Sequence, residues 1–240
     1  MAYNPLALAQ TIAAHGRWLN GDPTGAKATF DGQDLTGAAW DGVNLVRASL
    51  RNVVLVNAWL RNSRLDGADC TGANFTGARL DNAQLAGTIL TGSTLDKANA
   101  TNATLTGAAM NNVSMKQATA PGIDLNGVQA ASLNLKGSDI SDGSAAGAQL
   151  PNAVMDGVNF QNVAFNGATM TGVSAKQAQG QMATFDDADL TNSSLTGMQA
   201  KGATVVDTGL VGTDLTGADM TGVDLTTALS TAGFTPPLAN

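Results

Sequence analysis

The chain has 240 residues, a formal charge of −7, 19 aspartates, no glutamate and only 4% aromatic residues. That charge excludes nucleic-acid binding by simple phosphate neutralisation, which needs a basic face. Gly, Ala, Asn, Asp and Thr crowd the sequence and helix formers other than Ala and Leu are scarce, which excludes a mainly helical protein.

The first element is a short helical cap over residues 1–25. Asn4 followed by Pro5 is a helix start, with Asn4 accepting a backbone N–H and Pro5 at the first helical position. Leu8, Ile12, Ala13 and Leu19 are expected to share the buried face, and Gly21-Asp22-Pro23 to stop the helix. His15, the lone histidine, has Arg17 nearby and no carboxylate at i±4, so it reads as a cap or surface residue rather than a catalytic one. The first 20 residues lack the basic start and continuous apolar core of a secretory signal. A cytoplasmic protein is the default expectation, with a virion or a signal-free secretion route as the other placements.

Residues 26–228 carry a five-residue period. From Phe30 to Leu225 every fifth position is the centre of a repeat, 40 in all, and only Ala100, Ala120, Ala130, Ala145, Ala175, Ala200 and Gly180 place something small there. Two positions before each centre stands a second small residue, as at Ala28, Ala38, Val43 and Ala48. Two positions after it stands Gly or Asn in 30 of the 39 instances from Gly32 to Gly222. A period of five matches neither a helix nor a strand, so each repeat needs a corner, and Gly and Asn tolerate the positive φ of a corner.

The repeats ADCTG at Ala68 to Gly72, ANFTG at Ala73 to Gly77, ADLTN at Ala188 to Asn192 and ADMTG at Ala218 to Gly222 resemble the pentapeptide-repeat family, with its pattern A(D/N)LXX. The resemblance implies an all-β fold, a right-handed quadrilateral parallel β-helix of about ten coils. Four repeats make one coil, and the centre and the residue two before it point inward. A rise of about 4.8 Å per coil gives a shaft about 45 to 50 Å long. Coils of 20 residues would set Phe160 against Ile140 and Gly180, and Phe165 between Ala145 and Phe185.

The tail, residues 229–240, contains Leu229, Phe234, Pro236, Pro237 and Leu238, with Phe234 expected to fold back over Leu225. Family members that act on DNA gyrase typically dimerise through a C-terminal helix, which this proline-limited tail does not resemble. The segment from His15 to Leu19 is similar to the entry segment of bacterial and phage-borne members.

No catalytic, cofactor or metal set emerges. Cys70 fills a repeat centre, no second Cys or His stands ready to ligate zinc, and no Asp-x-Asp-x-Asp-Gly loop offers a calcium site. The distinctive surface is expected at Arg47 to Arg79, with Val54, Val56 and Trp59 facing outward and Arg47, Arg51, Arg61, Arg64 and Arg79 around them. Stacking places Arg79 over Trp59 within cation–π reach, and Arg61 between Asp41 and Asp81 in an exposed ion-pair ladder. A second, acidic surface comprises Asp186, Asp187, Asp189, Asp207, Asp214, Asp219 and Asp224, expected on all four sides. Up to Met110 charges balance, 8 Lys/Arg against 8 Asp; beyond it 4 Lys face 11 Asp. Lys116, Lys136 and Lys176 share an outward column interrupted by Asp156, which reads as solubilising.

These features point to a non-enzymatic structural or protein-interaction module, a subunit or adaptor of a larger bacterial or phage assembly, binding near its ends. Self-association through an end or the Trp59 patch is a further expectation; direct nucleic-acid binding and a membrane span are not expected. The alternative that the resemblance implies is a DNA mimic that binds DNA gyrase or topoisomerase, inhibiting it or protecting it from quinolones.

Overall fold

The computed structural model describes residues 5–229, 232–233 and 235–236. Helix α1 spans Pro5–Leu19; the role expected of Asn4 lies outside the described residues. Gly21 ends α1 at φ 75°, a left-handed conformation that lets the Asp22 N–H reach back to the Arg17 carbonyl at 3.0 Å. The inward stripe of α1 is Leu8, Ile12 and His15, spaced 4 and 3 as one helical face requires, and Leu19 at its end is half-buried. Ala13, expected on that face, is exposed, whereas His15 is fully buried.

The chain then crosses the helix closely. A Cβ at Gly25 would lie 2.1 Å from the Trp18 backbone nitrogen, so only glycine passes there. Beneath the cap, Phe30 and Trp40 are buried with ring centroids 5.1 Å apart.

Beyond the cap, the residue before each centre bridges in parallel to the residue twenty positions on, from Thr29↔Ser49 to Gln199↔Asp219. The bridges form four columns, beginning at Thr29, Asp34, Ala39 and Asn44, and these are the four sides of the shaft. Each column runs nine to eleven residues deep, in keeping with about ten coils.

The repeat at Leu35 shows why the pattern takes Asp or Asn. Leu35 and Gly37 donate their N–H groups to Val54 and Val56 of the next coil at 2.7 and 2.8 Å, and the Ala38 N–H closes the corner on the Leu35 carbonyl at 3.0 Å. The Thr36 N–H finds no backbone acceptor in this scheme, and the Asp34 carboxylate takes it at 3.0 Å. Elsewhere the same N–H goes to an Asp or Asn one coil earlier, as Arg51 donates to Asp31 at 2.9 Å. The repeat's acidic and amide residues therefore complete the backbone pairing.

All 39 corner residues from Gly32 to Gly222 have positive φ, including Arg47, Lys97 and Met182. Together with the hydrogen bond across it, present at every corner but the one before Gly143, this gives the corners the form of a type II turn. None of the 39 is β-branched, the class for which that conformation is most strained.

Large centres fill the gaps left by small ones. Phe165 and Phe185 stack with centroids 5.3 Å apart and planes 4° from parallel, and Phe160 meets each of them edge-on. Several hydroxyls at the second inward position are bonded to backbone: Thr88, Ser138 and Thr208 donate to the carbonyls of Leu65, Met115 and Phe185 at 2.9, 2.5 and 2.7 Å, whereas those of Ser63 and Ser93 are buried without a partner.

At the C-terminal end Asp224 caps a 3-10 turn, Leu225–Thr227. The ladder continues past residue 228. The Leu229 N–H donates to the Thr208 carbonyl at 3.0 Å, and Thr235 bridges to Asp214, 21 positions away, so one extra residue enters the last coil. The contact expected between Phe234 and Leu225 lies outside the described residues.

Candidate functional site

Because one coil traverses four sides in twenty residues, side chains close in sequence are dealt to different faces. Trp59 and Arg79 are direct neighbours in one column. Arg61 stands at the corner that follows Trp59, Val56 at the corner before it, and Val54 on the preceding side.

Arg47, Arg51 and Arg64 do not surround Trp59, and the expected ring of five arginines is corrected to two. Arg64 belongs to the column of Asn44 and Gln84, with Asp66 3.7 Å away. Arg51 pairs with Asp31 at 3.2 Å and approaches Asp69 at 3.9 Å. Arg47 occupies a left-handed corner, with φ 60°, packed beside Gly67. The reason is winding: a stretch of about five residues turns each corner, so a run of 18 residues nearly encircles the shaft.

The Trp59 cluster is specific in its geometry. The indole is 42% exposed, and the guanidinium carbons of Arg61 and Arg79 lie 5.0 and 4.6 Å from its centroid. Both are within cation–π range, Arg79 as expected from stacking. Asp41 anchors Arg61, accepting from Nη2 at 2.6 Å and from Nε at 3.0 Å, while its other oxygen accepts the Arg61 backbone N–H at 2.8 Å. Hydrogen bonding to the Arg61 side chain holds the Asp41 carboxyl below its ordinary value.

The expected ladder is one-sided. Arg61 makes no ion pair with Asp81, whose Oδ1 accepts from Asn99 Nδ2 at 2.7 Å instead. Arg61 turns toward Asp41 along the Trp59 ring, and Asp81 serves the adjacent coil. Arg79 has no carboxylate partner within ion-pair distance among the described residues. Asp41 thus neutralises one arginine beside the indole and leaves the other open.

The acidic residues disperse as expected. Asp189, Asp214 and Asp219 occupy three different columns; Asp224 caps the 3-10 turn where the fourth side ends. Asp186, Asp187 and Asp207 share one corner. Most also serve the backbone: Asp214 and Asp219 accept from the N–H groups of Thr216 and Thr221 at 2.9 and 3.0 Å. The threonine hydrogen bonds hold both carboxyls below their ordinary values.

His15, read from sequence as a cap or surface residue, is an anchor of the cap. Its Nδ1 accepts the Ala28 N–H at 3.1 Å, joining α1 to the first coil, and its ring stacks on Trp18 with centroids 5.4 Å apart. Burial lowers its pKa, while the Val46 carbonyl acts in the opposite direction. The signal available in the sequence was its spacing, three after Ile12 and four before Leu19. Cys70 is fully buried, and burial pushes its thiol pKa upward. Among the described residues no group of three or more His, Cys, Asp or Glu could hold a metal ion, and no helix is long and apolar enough to cross a membrane.

A family model described as pentapeptide repeats matches residues 28–67, 55–92, 68–107, 78–117, 134–172 and 199–229. No curated protein matches the chain. Among solved structures, the chain is similar to HetL, a pentapeptide repeat protein involved in heterocyst differentiation regulation in the cyanobacterium Nostoc sp. strain PCC 7120. Identity is 22%, the match covers 92% of each chain and the TM-score is 0.70, a likeness of fold. A pentapeptide repeat protein of the Arabidopsis thaliana thylakoid lumen is 36% identical over 41% of this chain and 69% of that one, with a TM-score of 0.40. QnrB1, a plasmid-mediated fluoroquinolone resistance protein, is 16% identical over 83% of this chain and 91% of that one, with a TM-score of 0.30.

Proposed function

The chain belongs to the pentapeptide-repeat family, and from that premise we propose that it is a non-enzymatic protein-interaction module, an adaptor or subunit of a larger assembly. It docks its partner through the Trp59 cluster, close to the capped end. The observation that carries this reading is the exposed indole held between Arg61 and Arg79. Trp and Arg are the residues most enriched where binding energy concentrates, and a pre-positioned indole loses little rotamer freedom when covered. The Asp41 anchor keeps the cluster in one arrangement before a partner arrives.

Chemistry supports a role without catalysis. His15 is committed to the cap and Cys70 to the core, so neither supplies a reactive group at the surface. A duplex mimic would present its charge as a stripe, and the seven aspartates are distributed around the shaft instead.

The test is affinity capture from the native host with wild-type protein and with the pair Trp59→Ala and Arg79→Ala, folding of both being checked by circular dichroism. Loss of the specific partner from the variant is expected. An unchanged set of captured partners would overturn the site, and inhibition of gyrase supercoiling at stoichiometric protein would replace the reading with DNA mimicry.

A further inference from the structure

We propose a second interaction surface, a lysine-lined groove along one corner of the shaft that receives an extended acidic segment of a partner protein. This corner follows the column of Val54 and Asn74 and precedes that of Trp59 and Arg79. Its first residues, coil by coil, are Asp96, Lys116, Lys136, Asp156, Lys176 and Thr196. Three of the four lysines beyond Met110 fall in this one column, within the half of the chain that holds the whole negative excess. Lys97 joins them at the second corner position of the lowest coil.

The corner is concave as well as basic. Its second positions run Lys97, Gln117, Gly137, Gly157, Gln177 and Gly197. A Cβ at Gly157 would meet nothing within 4 Å, and one at Gly137 would meet only Gln117 Cγ at 3.9 Å. The glycines open a gap that Gln117 and Gln177 wall at either end. Two overlapping hollows result, each of about 490 Å³, one running from Asp96 to Gly157 and the other from Lys136 to Gly197. Six coils at about 4.8 Å per step span about 24 Å, room for roughly seven residues of extended peptide.

The carboxylates in the groove are engaged. Asp156 Oδ1 accepts from Ser174 Oγ at 2.6 Å and from the Lys176 N–H at 3.0 Å. Asp96 accepts the Lys116 N–H at 2.9 Å and lies 3.4 Å from Lys116 Nζ. Lys136 and Lys176 form no ion pair among the described residues. Two uncommitted ammonium groups thus border a groove that Gln117 and Gln177 close at either end, an arrangement complementary to carboxylates on a polypeptide. Surrounding aspartates disfavour a continuous polyphosphate backbone, which a peptide with spaced carboxylates avoids.

Fluorescence anisotropy with a fluorescein-labelled oligoglutamate peptide tests the proposal. Wild-type protein is expected to bind it in a salt-sensitive manner, and Lys136→Glu with Lys176→Glu to weaken binding about tenfold. Lys27→Glu with Lys201→Glu, an equal charge change off the corner, and Trp59→Ala are expected to stay within about twofold of wild type, which separates this surface from the Trp59 cluster. Should the double reversal fail to fold by circular dichroism, Lys136→Gln with Lys176→Gln replaces it. Absence of wild-type binding, indifference to the double change, or tighter binding of single-stranded oligothymidylate through the same lysines would each overturn the assignment.

Discussion

Phe160 occupies the space that any side chain at Gly180 would need: a Cβ there would lie 2.2 Å from Phe160 Cε2. The two residues are 20 apart and face each other across one coil step, large against absent. Gly180→Ala is expected to destabilise the protein by about 1–3 kcal/mol, because Phe160 is packed against Phe165 and Phe185 and has nowhere to retreat. Urea denaturation measures it; a midpoint equal to wild type would contradict the packing.

Met182 holds φ 58° at a corner where most of its counterparts are Gly or Asn, and its side chain stays exposed. Left-handed backbone costs an ordinary L-residue about 1–2 kcal/mol, a penalty that glycine avoids at the expense of unfolded-state entropy. Met182→Gly is therefore expected to raise stability by up to about 1 kcal/mol, while Met182→Val, β-branched at the same φ, lowers it. Both follow from paired denaturation curves, and the opposite ordering would contradict the corner geometry.

The His15 cap is expected to weaken in mild acid. Burial lowers the pKa of the folded protein below the ordinary 6.5, so the unfolded chain takes up a proton first as pH falls. His15 therefore favours folding fully above pH 6.5, and that contribution is lost as pH falls below this value toward the lowered pKa. Protonation also removes Nδ1 as acceptor for the Ala28 N–H. Melting temperatures between pH 8 and pH 5, a span chosen as roughly bracketing histidine and lying above the aspartates, should decline for wild type. His15→Gln should show a flatter profile; identical profiles would remove His15 from the pH response.

The five-residue period was sufficient to read the shaft. Once an apolar centre, a small inward residue and a corner residue recur every five positions, inward and outward identity follows locally, and four repeats per turn give the stacking that sets Phe160 on Gly180. The engagement of Asp and Asn side chains by corner N–H groups also follows a rule internal to the repeat. At the cap, angle on the helix outweighs apolar character, so His15 rather than Ala13 takes the inward position.

Sequence alone determined the periodic element, its coil length and the direction each side chain takes, because those depend on backbone pairing that repeats identically at every step. Neighbours along a column followed from the twenty-residue stack, so the meeting of Trp59 with Arg79 was legible in the sequence. Only the tertiary structure decided which outward side chains are neighbours around the shaft, where Arg51 and Arg64 face away from Trp59. The hollow beside Lys136 and Lys176 likewise exists because glycines from successive coils align. Rotamers completed the picture: Arg61 turned to Asp41 rather than Asp81, a choice set by the geometry of the Trp59 ring and one carboxylate.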